Sequence, residues 1–148
     1  MDLSKEKVIF YHIDQKGLQE IPIYEGGVSE GFPSPAEDYL DIDLNLHKHL
    51  VKHPAATFFI LAKGSSMEDG GIGDNDLLVV DKSLDVKHGD IVVAVLNGEF
   101  VVKRYLIINK TIHLRAENKS QNYPTIIINE EMDFEIWGIV THTIHKNR

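Results

Sequence analysis

From residue 57 to residue 144 the chain is divided into short runs of β-branched and apolar residues, with no long amphipathic helix between them. The runs cover residues 57–62, 77–80, 90–96, 99–108, 111–114, 125–128 and 134–144. Asn97-Gly98 separates two of these runs by two residues, the strongest short signal for a type I′ hairpin, so 90–96 and 99–108 are expected to be neighbours. Many short strands without intervening helices argue for a mainly β fold of coiled antiparallel sheets, and against a parallel α/β sheet. At 148 residues the chain suits one domain with one core.

Upstream the pattern thins. Val8-Ile9-Phe10-Tyr11 and Ile21-Pro22-Ile23-Tyr24 read as short strand-like runs, and the glycine-rich 25–31 follows. Residues 1–30 therefore read as a flexible N-terminal arm outside the core. Residues 31–55 read as a linker and short helix, and 56–148 as the β-rich domain. Pro35 suggests a helical turn over 36–40. The segment 43–53 is expected to be a short amphipathic helix with Asp43 as N-cap, Leu46, Leu50 and Val51 on one face, and Pro54 ending it. His49 and His53 stand four apart, but no glutamate lies between them and no third ligand is evident. A solvated helix face is the better account, and neither a metal nor another cofactor is expected.

The chain has no cysteine, which removes thiol nucleophiles, thiolate zinc sites and disulfide frameworks. A formal charge of −8 argues against a surface built to neutralise phosphates, so direct DNA binding is not expected, although a partner that touches DNA remains allowed. The charged start Met1-Asp2-Leu3-Ser4-Lys5-Glu6-Lys7 lacks a signal peptide's apolar region, and no apolar run is long enough to span a bilayer. The expectation is a soluble cytoplasmic protein with no membrane partner.

One stretch invites chemistry. Gly64-Ser65-Ser66-Met67 ends the apolar run 57–62 and precedes Asp69-Gly70-Gly71-Ile72-Gly73. A serine where a strand gives way to a glycine-rich turn can hold its hydroxyl clear of the sheet, with backbone N–H groups facing a reacting carbonyl. A plain turn explains the same residues. A nucleophile needs a base, and His88-Gly89-Asp90 is a poor source because residues flanking a turn glycine seldom orient each other. Lys103, in Val101-Val102-Lys103-Arg104-Tyr105, is better placed: an ammonium titrates near about 10.4, and desolvation lowers that value. Such a lysine can act as a base toward serine. The competing reading is a lysine on a solvent face, and Val101 beside Val102 leaves the alternation ambiguous.

These residues also carry a resemblance. Gly64-Ser65-Ser66-Met67, Asp69-Gly70-Gly71-Ile72, the run 74–81, His88-Gly89-Asp90-Ile91-Val92 and Gly98-Glu99-Phe100-Val101-Val102-Lys103 resemble, in order, the self-cleaving serine peptidases of the LexA and UmuD family. Gly31-Phe32-Pro33-Ser34-Pro35-Ala36 with Asp38-Tyr39 resembles the segment just after the cleavage point, and His53-Pro54-Ala55-Ala56-Thr57 the lead into the serine strand. The resemblance covers about residues 30 to 145. It implies a LexA-type peptidase fold and a Ser-Lys dyad, with Ser66 as nucleophile, Lys103 as neutral general base, and the Ser65 and Ser66 backbone N–H groups as oxyanion donors. It further implies cleavage at Glu30-Gly31, a homodimer, activation by the RecA filament on single-stranded DNA, and an SOS role as accessory subunit of a UmuC-like translesion polymerase. The short arm does not accommodate a helix-turn-helix, so the chain is similar to the UmuD side of the family and not to a repressor.

The chain departs from that pattern at Glu30, where the family places a small apolar residue, usually alanine or cysteine. Burying its carboxylate beside the scissile bond without a partner is costly. Slow or strongly activated self-cleavage, cleavage of a partner chain, and a non-cleaving binding or regulatory module all remain open at this stage.

Overall fold

The computed structural model describes residues 8–11, 20–24 and 40–148, with side chains from residue 45 onward. The described residues form two compact units, one joining β1 (Val8–Tyr11) to everything from His53 onward, the other holding β2 (Glu20–Tyr24), β3 (Leu40–Asn45) and α1 (Leu46–Leu50). In the larger unit the strands are β4 (Thr57–Ala62), β5 (Leu77–Asp81), β6 (Ile91–Leu96), β7 (Glu99–Ile108), β8 (Thr111–Arg115), β9 (Ile126–Ile127) and β10 (Phe134–Ile144). With β1 they make an eight-stranded sheet in the order β1-β4-β5-β10-β6-β7-β8-β9, every neighbouring pair antiparallel. The fold is mainly β, as the run pattern predicts.

The Asn97-Gly98 hairpin forms as expected. Asn97 (φ 50) and Gly98 (φ 83) both take positive φ, the type I′ geometry that matches the twist of the flanking strands. It sets the register Leu96↔Glu99 through Ile91↔Arg104. Because successive strand residues face opposite sides, β6 and β7 feed two apolar clusters. One gathers Ile60, Ala62, Met67, Ile72, Leu78, Val80, Val93 and Val102. The other gathers Val92, Ala94, Val101, Tyr105, Leu114 and Ile139. β10 crosses between β5 and β6 and shifts register around Gly138, where an added β-carbon would stand 2.6 Å from Val80 Cγ1. A side chain there would push β10 off β5.

The upstream half departs from expectation in two places. The helix is one short turn, capped by Asn45 accepting from the Lys48 N–H at 3.0 Å, while Asp43 lies inside β3 and pairs with Pro22. Leu40-Asp41-Ile42-Asp43-Leu44-Asn45 alternates apolar and polar with period two, and that strand signal outweighs Asp43's cap propensity. β1, in the segment read as an arm, pairs with β4 from Val8↔Ala62 to Tyr11↔Phe59. The helical turn read over 36–40 falls outside the described residues except Leu40, which begins β3. Glu30 and Gly31 also lie outside them.

Candidate active site

The turn leaving β4 is bent by residues that favour positive φ. Gly64 (φ 108) donates its N–H to Asp74 Oδ1 at 2.9 Å, and Gly71 (φ 90) closes the 3-10 turn Glu68–Gly70. Met67 and Ile72, each 3% exposed, drop from this turn into the first apolar cluster. Ser66 is therefore carried on a short loop anchored in the core beside it, and is itself only 3% exposed.

Lys103 comes from the middle of β7. Val101, Lys103 and Tyr105 share one side of the strand by alternation and Val102 takes the other. All four are buried, because both faces of the sheet are covered at this point. The adjacent valines thus mark a strand packed on both sides, which settles the ambiguity of the run. Lys103 Nζ lies 2.8 Å from Ser66 Oγ. An amine at that distance, when neutral, can take the hydroxyl proton as the oxygen attacks a carbonyl.

A second layer surrounds the pair. Tyr123 Oη is 3.0 Å from Ser65 Oγ and its ring centroid is 5.7 Å from Lys103 Nζ, so one side chain reaches both halves of the site. Lys103 and Tyr123 line a cleft of about 400 Å³ whose other walls are mostly apolar, from Leu96, Val101, Pro124 and Ile126, with Asn97 and Glu99 adding polar groups. The Asn118 side chain donates to the Ser65 carbonyl at 2.6 Å, and the Glu117 N–H to the Ser66 carbonyl at 2.7 Å. Sequence reasoning missed Glu117, Asn118 and Tyr123. They lie in an irregular polar stretch after β8, and the Ser65–Asn118 bond spans 53 positions, so no local spacing points to it.

The other candidates have different partners. His88 Nδ1 accepts the Ile107 N–H at 2.9 Å, and Asp90 accepts the Lys87 N–H at 2.8 Å, so both serve the turn around Gly89. His53 lies beyond the helix and pairs with Asp81 at 2.6 Å. His145 pairs in the same way with buried Asp76, also at 2.6 Å. Among the described residues no group of three histidine, cysteine or acidic side chains could hold a metal ion, and no helix is long and apolar enough to cross a membrane.

The Peptidase S24-like family model matches residues 22–141, and the chain belongs to that family, the LexA and UmuD group. Within it the chain is similar to Protein MucA of Salmonella typhimurium, 46% identical over 137 residues that cover 92% of each chain. Protein ImpA of the same organism is 41% identical over 127 residues, 86% of this chain and 85% of that one. The LexA repressor of Histophilus somni is 34% identical over 135 residues, 91% of this chain but 63% of the repressor. The chain is thus a UmuD-like member of the family.

Proposed function

We propose that this chain is a self-cleaving Ser-Lys peptidase of the SOS response. The carrying observation is the 2.8 Å approach of Lys103 Nζ to Ser66 Oγ, with both residues buried. Ser66 attacks the carbonyl of Glu30 while neutral Lys103 takes its proton. The N–H groups of Ser65 and Ser66 stabilise the oxyanion. Lys103 then returns the proton to the Gly31 amine as the peptide bond breaks, and water hydrolyses the acyl-serine, leaving a Glu30 carboxylate. The arm, residues 1–30, departs, and residues 31–55 with the 56–148 domain remain.

The UmuD-like relatives support the rest of the reading. The chain acts in the cytoplasm as a homodimer, the RecA filament on single-stranded DNA activates cleavage, and the product serves a UmuC-like translesion polymerase. A second reading rests on Glu30, whose carboxylate is poorly suited to the position before the scissile bond. In that reading the chain is a binding module that does not cleave itself.

Incubation at about pH 10, where a lysine base is increasingly neutral, followed by mass analysis, separates these readings. Self-cleavage yields a fragment beginning at Gly31 that is missing in Ser66→Ala and Lys103→Ala. If only Glu30→Ala is cut, the site residue disables an intact dyad. If that variant also stays whole, even with RecA filament, the peptidase reading is wrong. Capture of a translesion polymerase is expected to survive Ser66→Ala.

A further inference from the structure

The Glu117-Asn118 segment touches Ser66 and the neighbour of Lys103 at once. Two contacts hold the backbone around the serine: the Glu117 N–H reaches the Ser66 carbonyl at 2.7 Å, and Asn118 Nδ2 reaches the Ser65 carbonyl at 2.6 Å. Two more tie the same segment to the following turn. Asp69 N–H donates to the Glu117 carbonyl at 2.7 Å, and the Lys119 N–H donates to Asp69 Oδ2 at 2.5 Å. The Glu117 carboxylate then faces the other strand. Arg104, next to Lys103 on β7, donates to its Oε1 from Nε at 2.8 Å and Nη2 at 2.7 Å, and Arg115 approaches Oε2 at 3.3 Å. Arg104 Nη1 is held in turn by the Gly89 carbonyl at 2.8 Å.

We infer that Glu117 and Asn118 are positioning residues that lock the serine turn to β7 and set the orientation of the Ser65–Ser66 peptide. The inference rests on the dyad reading above. In a trans peptide the carbonyl and the N–H point in opposite directions. The Ser65 carbonyl is fixed by Asn118 and by the Glu68 N–H at 3.2 Å, so the Ser66 N–H is aimed away from both. Turning that peptide over would break both bonds. Neither residue touches the reacting atoms. They act through Ser66 and Lys103, whose geometry tolerates little error, since small misplacements of reacting groups cost large factors in rate.

The test uses the full chain with diisopropyl fluorophosphate, which phosphorylates an activated serine with loss of fluoride and requires no cleavage at Glu30. Labelling of Ser66 is followed by mass across pH 6 to about 10.5, with Ser66→Ala as blank and thermal melting as the control for folding. Asn118→Asp keeps the size but turns a donor into an acceptor against the Ser65 carbonyl; Glu117→Gln keeps the backbone N–H and loses the charge facing Arg104. The expected result is labelling at least tenfold slower in Asn118→Asp and several-fold slower in Glu117→Gln. Both variants are compared with the parent at a temperature where melting shows each fully folded, so that slower labelling there is a result that partial unfolding does not produce.

Labelling at the parent's rate in both variants overturns the inference. So does loss of labelling only in proportion to loss of the folded fraction, because the segment is then a folding element. If the parent itself neither labels nor cleaves, and Glu30→Ala does neither, the dyad reading falls and this inference falls with it. If the parent labels normally and both variants match it, the dyad stands and the segment's role alone is refuted.

Discussion

The hairpin of β6 and β7 and the serine turn after β4 are both glycine-containing bends, but they are held in opposite ways. The hairpin is local: two positive-φ residues, a six-pair ladder from Leu96↔Glu99 to Ile91↔Arg104, and alternation into two apolar clusters. The serine turn is held from afar, by Met67 and Ile72 in the core, by the Asp74 carboxylate on Gly64, and by Glu117 and Asn118. Hairpin geometry follows from its own sequence, whereas the shape of the serine turn exists only once the rest of the sheet is in place. The proposed dyad needs both, since Lys103 rides on the first and Ser66 on the second.

Removing either member of the pair gives the largest expected effect. Ser66→Ala and Lys103→Ala should each slow Gly31-fragment formation by on the order of 10³ or more, because groups acting as a unit fail together. The double variant should be hardly slower than either single one. Additive losses would show that the two regions act separately, and would break the comparison at its centre.

A smaller effect separates the two bends by the same kind of substitution. At Gly70 an added β-carbon would stand 2.7 Å from Glu117 Oε1 and 3.0 Å from Met67 Cε. The carboxylate is tied to Arg104, so it yields only by loosening that bond. Gly70→Ala should cost about 1–2 kcal/mol of stability, as overpacking does, and slow cleavage about tenfold. At Gly98 nothing stands within 4 Å of the added atom, but φ is +83, which penalises any β-carbon. Gly98→Ala should cost about 1 kcal/mol and leave the cleavage rate of the folded protein unchanged. Urea melts and mass-detected cleavage on the two variants check this; equal cleavage rates would remove the distinction.

The same contrast explains what the sequence made legible. Strand runs, the hairpin and its register were readable because alternation and Asn97-Gly98 are local signals. β3 was misread because Asp43, a good cap in isolation, sits in an alternating strand. Ser66 was recognisable as a candidate from its turn, and Lys103 from an apolar run, but their 2.8 Å approach depends on how the sheet coils. Glu117, Asn118 and Tyr123 were invisible, since their meaning lies in contacts more than fifty residues away in sequence.

The turn after β5 lies between the two cases, and it gives the smallest effect. Asp81, 4% exposed, binds locally to Ser83, accepting from its N–H at 2.8 Å and its hydroxyl at 2.6 Å, and also reaches back to His53 at 2.6 Å. Burial by itself would raise the carboxyl. The Ser83 hydroxyl, His53 and the Ser83 N–H together outweigh it and hold the group below its ordinary value of 3.8. A lowered folded-state value favours the native state above the unfolded value of about 3.9, and that contribution is lost as pH falls through the folded-state value. Asp81→Asn should therefore cost about 1 kcal/mol near neutral pH, and the gap from the parent should close on acidification below about pH 4. Urea melts at several pH values measure it. His53→Ala removes only the distant half of the arrangement while the Ser83 bonds remain, so its cost should be smaller than that of Asp81→Asn. If His53→Ala proves the more damaging, this bend too is set from afar, and the hairpin alone among the three is local.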